Sequence, residues 1–170
     1  YDGMSVEVVS SDQVFNEFSS GTKNATGIRN FLKMLYDRGS TLKYVLLLGD
    51  GSFDNRNIRS ENKNFIPTFQ SDNSLRPTSS FVTDDYFVIL DADESVYNGA
   101  VDLGIGRIPA STVFEAELVV DKIINYYSTD ALGDWKNVVC FIGDDEDGNL
   151  HMQDSEKLAG QVNENHWEFV

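Results

Sequence analysis

The stretch YVLLLGDG at residues 44–51 decides the fold class. Its first five residues form a continuous apolar run, and glycine and aspartate close the run abruptly. Such a run is typical of a strand that is buried on both faces, as the strands of parallel sheets are. Parallel strands require crossover connections, which are usually helices. The stretch therefore predicts an α/β fold.

Helical patterns lie on both sides of this strand. Over residues 24–37 the apolar positions recur at i, i+3, i+4, i+7 and i+8, which predicts an amphipathic helix that stops at Gly39. Thr112 and Glu115 have the spacing of a capping box, which predicts a helix from there to about Tyr127. A polar helix is predicted over about 153–163. The expected inner face of the second of these helices consists of Ala116, Val119, Val120, Ile123 and Tyr127.

Further apolar runs predict strands at residues 6–9, 86–90 and 138–142, and the first half of another at 167–170. Residues 101–105 predict a strand that pairs with 86–90 as a hairpin. Together these elements predict a mainly parallel sheet flanked by helices, with a β-hairpin insertion. Residues 51–80 predict a long loop, and loops of that length in compact domains are usually functional or mobile.

The charge balance restricts the partners. Acidic residues outnumber basic ones by 28 to 13 in the 170 residues, and the formal charge is −15. This balance argues against nucleic acid or an anionic membrane as a partner, because phosphate binding needs clustered lysine and arginine. The longest apolar runs have about five residues, against the roughly 20 that span a bilayer, so no membrane insertion is predicted for this segment.

Carboxylates follow several predicted strands: Asp50, then Asp91 and Asp93, then Asp144 and Asp145. In open α/β sheets, ligands bind beyond the carboxyl ends of the strands. These carboxylates could hold a divalent cation, orient a histidine or cap a helix, so the identity of any metal is left unknown. The acidic loop at 144–149 does not keep the register of an EF-hand, which leaves calcium possible only at an irregular oxygen site.

One alternative function rests on Asp91 and Asp93. A strand followed by Asp-x-Asp is the form used by magnesium-dependent phosphohydrolases, in which one carboxylate attacks phosphorus and the metal neutralises charge. Another alternative is a non-catalytic binding module with an acidic rim.

The candidate nucleophile and bases are few. Cys140 is the only cysteine, and its apolar neighbours predict an inert, buried thiol. His166 lies beside Trp167, which indicates a surface or packing role. His151 follows the acidic loop at the start of a helix, on the side where a site would lie. These residues do not supply a complete catalytic dyad.

The order of several short motifs resembles that of the gingipain-type cysteine peptidases. The motifs are LKYVLLLGD at 42–50, FIP at 65–67, TDDY at 83–86, LGIGRIP at 103–109, DWK at 134–136 and VCFI at 139–142. They cover most of residues 24–165. The family includes secreted proteases and the sortase (signal peptidase) of the type IX secretion pathway. The resemblance implies a caspase-like fold of two α/β subdomains and a location at the cell surface, in the outer membrane or outside the cell.

By this resemblance, residues 1–134 are the first subdomain of a peptidase domain and residues 135–170 are the beginning of the second. The family's catalytic histidine lies in a Gly-His-Gly turn and its cysteine follows the next strand, and neither feature is present in this sequence. The resemblance therefore implies an N-terminal fragment of a cysteine-type endopeptidase, inactive by itself. Its expected partners are a protein or peptide substrate and the remainder of the same chain.

The resemblance also implies two site residues. Asp145 matches the position of a family glutamate that orients the catalytic histidine, and a carboxylate there accepts the imidazole N–H and fixes its tautomer. His151 matches the acidic base of the family's arginine-binding pocket, which implies a substrate-binding role. A histidine cannot pair with arginine as a carboxylate does, so arginine specificity is not implied.

Overall fold

The computed structural model describes residues 3–56, 58–59, 64–72, 76 and 79–165. Its contacts divide the chain into two compact units, Tyr1–Asp121 and Lys122–Val170. The subdomain boundary expected at 134/135 from the family resemblance stays a prediction. His166 and the strand predicted at 167–170 lie outside the described residues.

The first unit opens with two helices, α1 (Ser11–Phe18) and α2 (Ala25–Asp37). The helix predicted over 24–37 is confirmed as α2, and the side chain of Asn24 caps it by accepting a hydrogen bond of 2.8 Å from the amide of Gly27. Gly39 has φ +68°, the left-handed conformation that ends a helix. Helix α1 was not predicted, although Ser10 and Gln13 form its capping box.

The central sheet consists of β1 (Tyr44–Leu48) and β4 (Gly104–Ile108). The two strands are parallel and in register from Tyr44 opposite Gly104 to Leu48 opposite Ile108. The predicted α/β class is thus confirmed, with β4 beginning three residues later than the strand expected at 101–105. Strands β2 (Phe69–Gln70) and β3 (Val82–Thr83) form a separate antiparallel pair.

Residues 86–90 do not form the predicted strand, so the predicted hairpin with 101–105 is wrong. Asp85–Phe87 is a 3₁₀ turn, and residues 88–90 follow without a strand ladder. The backbone N–H of Leu90 donates instead to the carboxylate of Asp102, at 2.6 Å. The apolar run is buried at residues 87–90, as expected, but burial alone does not distinguish a strand from a packed turn.

The core of the first unit lies where both helices meet one face of the sheet. Its buried members are Val14, Phe15, Ile28, Leu32, Leu47, Phe87, Val88, Leu90 and Leu103. The opposite face of the sheet, which we call the outer face, carries Tyr44, Leu46 and Leu48, and these side chains are 66%, 62% and 52% exposed. Strand β1 is therefore buried on one face rather than on the expected two.

Helix α3 (Val113–Tyr126) begins at the predicted capping box. The amide of Glu115 donates to the Thr112 hydroxyl at 3.1 Å, and the Glu115 carboxylate accepts from the Thr112 amide at 3.2 Å. None of the residues of α3 is buried, and of the inner face expected from the sequence only Ala116 and Val119 are half-buried.

The second unit contains helix α4 (Glu146–Asn165), which includes the predicted polar helix. Residues 138–142 do not form the predicted strand, and neither do residues 6–9 of the first unit. Cys140 is exposed, so the expectation of a buried thiol is wrong. The two strand predictions relied on apolar runs, and among the described residues neither run has a neighbouring strand that would bury it. Among the described residues, no helix has the length and apolar character needed to cross a bilayer.

Candidate functional site

Asp50 lies at the carboxyl end of β1, where the α/β fold places ligands, but its oxygens serve the structure. One carboxylate oxygen accepts from the amide of Gly51 at 2.9 Å, and the other accepts from the Ser111 hydroxyl at 3.0 Å. The Asp50 carbonyl accepts from the amides of Phe65 and Ile66. Asp50 therefore fastens the end of β1 to the residues before α3 and to the loop that follows β1.

The Arg107 guanidinium donates five hydrogen bonds within the first unit. Its Nε and Nη2 donate to the two carboxylate oxygens of Asp84 at 2.8 and 2.7 Å, in a bidentate pair. Its Nη1 donates to the carbonyls of Gly49 and Ile66, and Nη2 also donates to the carbonyl of Pro67. A guanidinium has five N–H donors, and these five hydrogen bonds use all of them within the chain. Arg107 therefore holds the end of β1, the following loop and the residues before the 3₁₀ turn together.

A polar network orders the described part of the loop predicted over 51–80. Asn64 is buried; its side chain accepts from the amide of Ser52 and donates to Asn55 at 2.9 Å. Asn55 in turn donates to the carbonyl of Thr68 at 3.0 Å. Satisfied buried networks of this kind make a loop rigid. The residues that carry this network serve the loop itself rather than a ligand.

Asp91 and Asp93 are not placed for phosphoryl transfer. No strand precedes them, because residues 88–90 continue from a 3₁₀ turn. The Asp91 carboxylate accepts a hydrogen bond of 3.1 Å from the Tyr36 hydroxyl, and Asp93 takes a left-handed turn conformation with φ +68°. The strand on which the magnesium-dependent phosphohydrolase depended is absent at residues 86–90, so the structure does not give Asp91 and Asp93 the placement that this alternative requires.

The Tyr36 hydroxyl faces two carboxylates. The hydrogen bond to Asp91 raises the pKa of Tyr36 above the ordinary value of 10.0, and the negative charges of Asp102 and Asp91 act in the same direction. A phenolate beside these carboxylates would be repelled, so the folded state retains the phenol proton.

We expect Tyr36 to ionise at a higher pH in the folded chain than in the unfolded one. Because the folded pKa is raised, the stabilisation is complete below the unfolded pKa and is lost as the pH rises through the folded pKa. Alkaline titration of tyrosine absorbance in wild type and Tyr36→Phe isolates this transition. Asp91→Asn should move the transition to lower pH, and an unchanged transition in that variant would contradict the assignment.

The acidic loop of the second unit is a left-handed turn. Asp147, Gly148 and Asn149, near the start of α4, have φ values of +52°, +69° and +64°, and the regular part of the helix follows them. His151 lies one turn further on, with its Nε2 3.6 Å from the Asp147 carboxylate. Asp145 precedes the turn and is exposed, and its carboxylate has no hydrogen-bond partner within the part of the chain that the structure describes.

The two predicted site residues thus lie on either side of one turn. The contact of His151 is with Asp147 and not with Asp145, and both side chains of that contact are more than half exposed. Within the described ranges, no group of three or more His, Cys, Asp or Glu side chains is close enough to hold a metal ion. Sequence reasoning missed Arg107 and Asp84, although an arginine inside the apolar stretch LGIGRI was a signal of a satisfied internal charge.

The comparisons with known proteins define the class. The profile of peptidase family C25 matches residues 1–170, the whole chain. The chain therefore belongs to this family, the gingipain family of cysteine peptidases. The resemblance drawn from the motifs is confirmed.

This chain is also similar to a solved structure. The crystal structure of dimeric latent PorU from Porphyromonas gingivalis matches with a TM-score of 0.61 and 35% sequence identity. The match covers 85% of this chain and 15% of the PorU chain, so this chain spans a small part of that relative's length. The search of curated proteins gave no match.

Proposed function

We propose that this chain is the N-terminal part of the catalytic region of a gingipain-like cysteine peptidase of the sortase type used in type IX secretion. The observation that carries the proposal is the 35% identity to PorU over 85% of the chain. The chemistry of the parent protein is cleavage of a peptide bond by a thiolate, followed by transfer of the acyl group to water or to an amine.

The chain by itself lacks the groups for this reaction. Its one cysteine is Cys140, whose thiol lies 4.0 Å from the carbonyl oxygen of Phe141 and has no imidazole as a hydrogen-bond partner among the residues that the structure describes. A cysteine nucleophile needs an adjacent base or a strongly electropositive site. We therefore place the catalytic cysteine and histidine in the remainder of the parent chain.

The two residues on either side of the left-handed turn are assigned to the assembled site. Asp145 is the orienting acid, because an exposed carboxylate that has no partner among the described residues can accept the N–H of an incoming imidazole. His151 is a substrate-binding residue whose ring lies exposed beside the turn. The substrate is a protein or peptide, and the site of action is the cell surface, the outer membrane or the exterior. The formal charge of −15 supports the absence of nucleic acid among the partners.

Activity assays on the parent protein test these assignments. We expect the 170-residue chain alone to leave a fluorogenic peptide uncleaved and the parent protein to cleave it. Cys140→Ser in the parent should keep kcat within about twofold, because a substitution at an exposed position away from the chemistry has little effect. Asp145→Asn should lower kcat by up to about four orders of magnitude while the fold is retained.

Each outcome has a defined meaning. Loss of activity in Cys140→Ser would make Cys140 the nucleophile and end the proposal that the dyad lies elsewhere. Full activity in Asp145→Asn would remove the orienting role from this residue. A parent protein without any peptidase activity would favour the non-catalytic binding module.

A further inference from the structure

Two Asp-Gly pairs occur in the described part of the chain, at Asp50-Gly51 and at Asp147-Gly148. In such a pair the glycine nitrogen can attack the aspartate side-chain carbonyl carbon. A C–N bond forms, one molecule of water leaves, and a five-membered succinimide results. Water then adds to either ring carbonyl and reopens the ring, giving aspartate or isoaspartate. The reaction consumes and returns only water, and the absence of a glycine β-carbon removes the steric obstacle to attack.

The first pair is held against this reaction. The amide of Gly51 donates its hydrogen to the Asp50 carboxylate, and the Ser111 hydroxyl fixes the other oxygen. The backbone is also enclosed, because a β-carbon on Gly51 would lie 2.5 Å from the carbonyl oxygen of Ile66. Ring closure at Asp50 requires these contacts to break and the surrounding loop to move.

The second pair is open. The Asp147 side chain is 77% exposed, and its contact with His151 at 3.6 Å is longer than a hydrogen bond. A β-carbon on Gly148 would meet no atom within 4 Å. The pair also lies in the left-handed turn, where the non-glycine residues Asp147 and Asn149 adopt a disfavoured conformation. Few contacts therefore hold the turn in place, and its backbone conformation is not a favoured one. Both features make it easier for the backbone to rearrange for ring closure.

We propose that the Asp147-Gly148 bond is a site of spontaneous isoaspartate formation. Isoaspartate routes the backbone through the side-chain carboxyl and adds one methylene to the main chain. The added methylene falls in the turn that joins Asp145 to His151. Ageing of the protein would therefore change the spacing of these two residues whether or not they act in catalysis.

Peptide mapping of the full chain tests the proposal after prolonged incubation in neutral buffer. Isoaspartate is located by fragmentation spectra that distinguish the two backbones, and quantified enzymatically with an isoaspartate methyltransferase. We expect about tenfold or more isoaspartate at position 147 relative to position 50. The hydrogen bonds at Asp50 must break before its ring can close, and this requirement slows the reaction there by about that factor. Deamidation at Asn98-Gly99 is counted separately, because it changes the mass whereas isomerisation of aspartate does not.

Asp147→Glu is the matched variant. It keeps the charge and the glycine, but its longer side chain would have to close a six-membered ring, so isoaspartate should disappear from the 144–149 peptide while Asp50 is unaffected. Absence of isoaspartate at Asp147 in wild type would overturn the proposal. Equal or greater conversion at Asp50 would overturn the structural reason given for it.

Discussion

Arg107→Ala is expected to lower the free energy of unfolding of the first unit by about 3 kcal/mol. The Arg107 and Asp84 side chains are only 12% and 24% exposed. Removing the guanidinium leaves the Asp84 carboxylate without its bidentate partner. It also leaves the carbonyls of Gly49, Ile66 and Pro67 without a donor. Unsatisfied groups in a partly buried site cost more than the deleted hydrogen bonds contribute.

Urea unfolding followed by circular dichroism measures this effect. Arg107→Lys retains the charge but cannot reproduce five donors in a planar fork, so it should lose most of the same stability. Arg38→Ala is the matched control, because Arg38 is exposed at the end of α2 and should change stability by less than about 0.5 kcal/mol. Equal midpoints for Arg107→Lys and wild type would show that the fork geometry is unimportant.

Phe87→Ala is expected to destabilise the first unit by about 3–5 kcal/mol. Phe87 is completely buried and belongs to the core that joins both helices to the sheet. Truncation removes the transfer free energy of the ring and leaves a cavity that a packed core fills only in part. The loss is a large fraction of the 5–15 kcal/mol by which single domains are usually stable.

A second phenylalanine, Phe114, provides the matched control for the same unfolding measurement. Phe114, in the first turn of α3, is 66% exposed, so Phe114→Ala should change the unfolding free energy by less than about 0.5 kcal/mol. Similar losses in both variants would mean that α3 is buried in solution and that Phe87 is not exceptional. A small loss at Phe87 alone would contradict the position of the core.

The parts of the fold that the sequence predicts correctly are those specified by local signals. Helix α2 has a periodic apolar stripe, an asparagine cap and a terminal glycine, and α3 has a capping box. Residues 86–90 have only apolar character, which reports burial and not backbone conformation. Their conformation depends on Asp102, a residue distant in the sequence, and such a tertiary contact leaves no local pattern.

The site shows the same division. The roles of Asp145 and His151 follow from a resemblance to a family and stay predictions, and periodicity alone would have suggested neither residue. Arg107 and Asp84 are 23 residues apart, and their pairing depends on how β4 and the residues after β3 come together. The left-handed turn could be anticipated in part, because Asp, Gly and Asn are the residues that best tolerate positive φ.

The outer face of the sheet has a practical consequence for anyone who produces this chain. Three large apolar side chains stand in a row on β1, and the neighbouring positions of β4 at 104 and 106 are glycines that offer nothing to shield them. A contiguous exposed apolar surface of this kind promotes aggregation. We therefore expect this surface, and not the stability of the core, to limit the solubility of the chain. The substitution Leu46→Lys is the simplest way to raise that solubility.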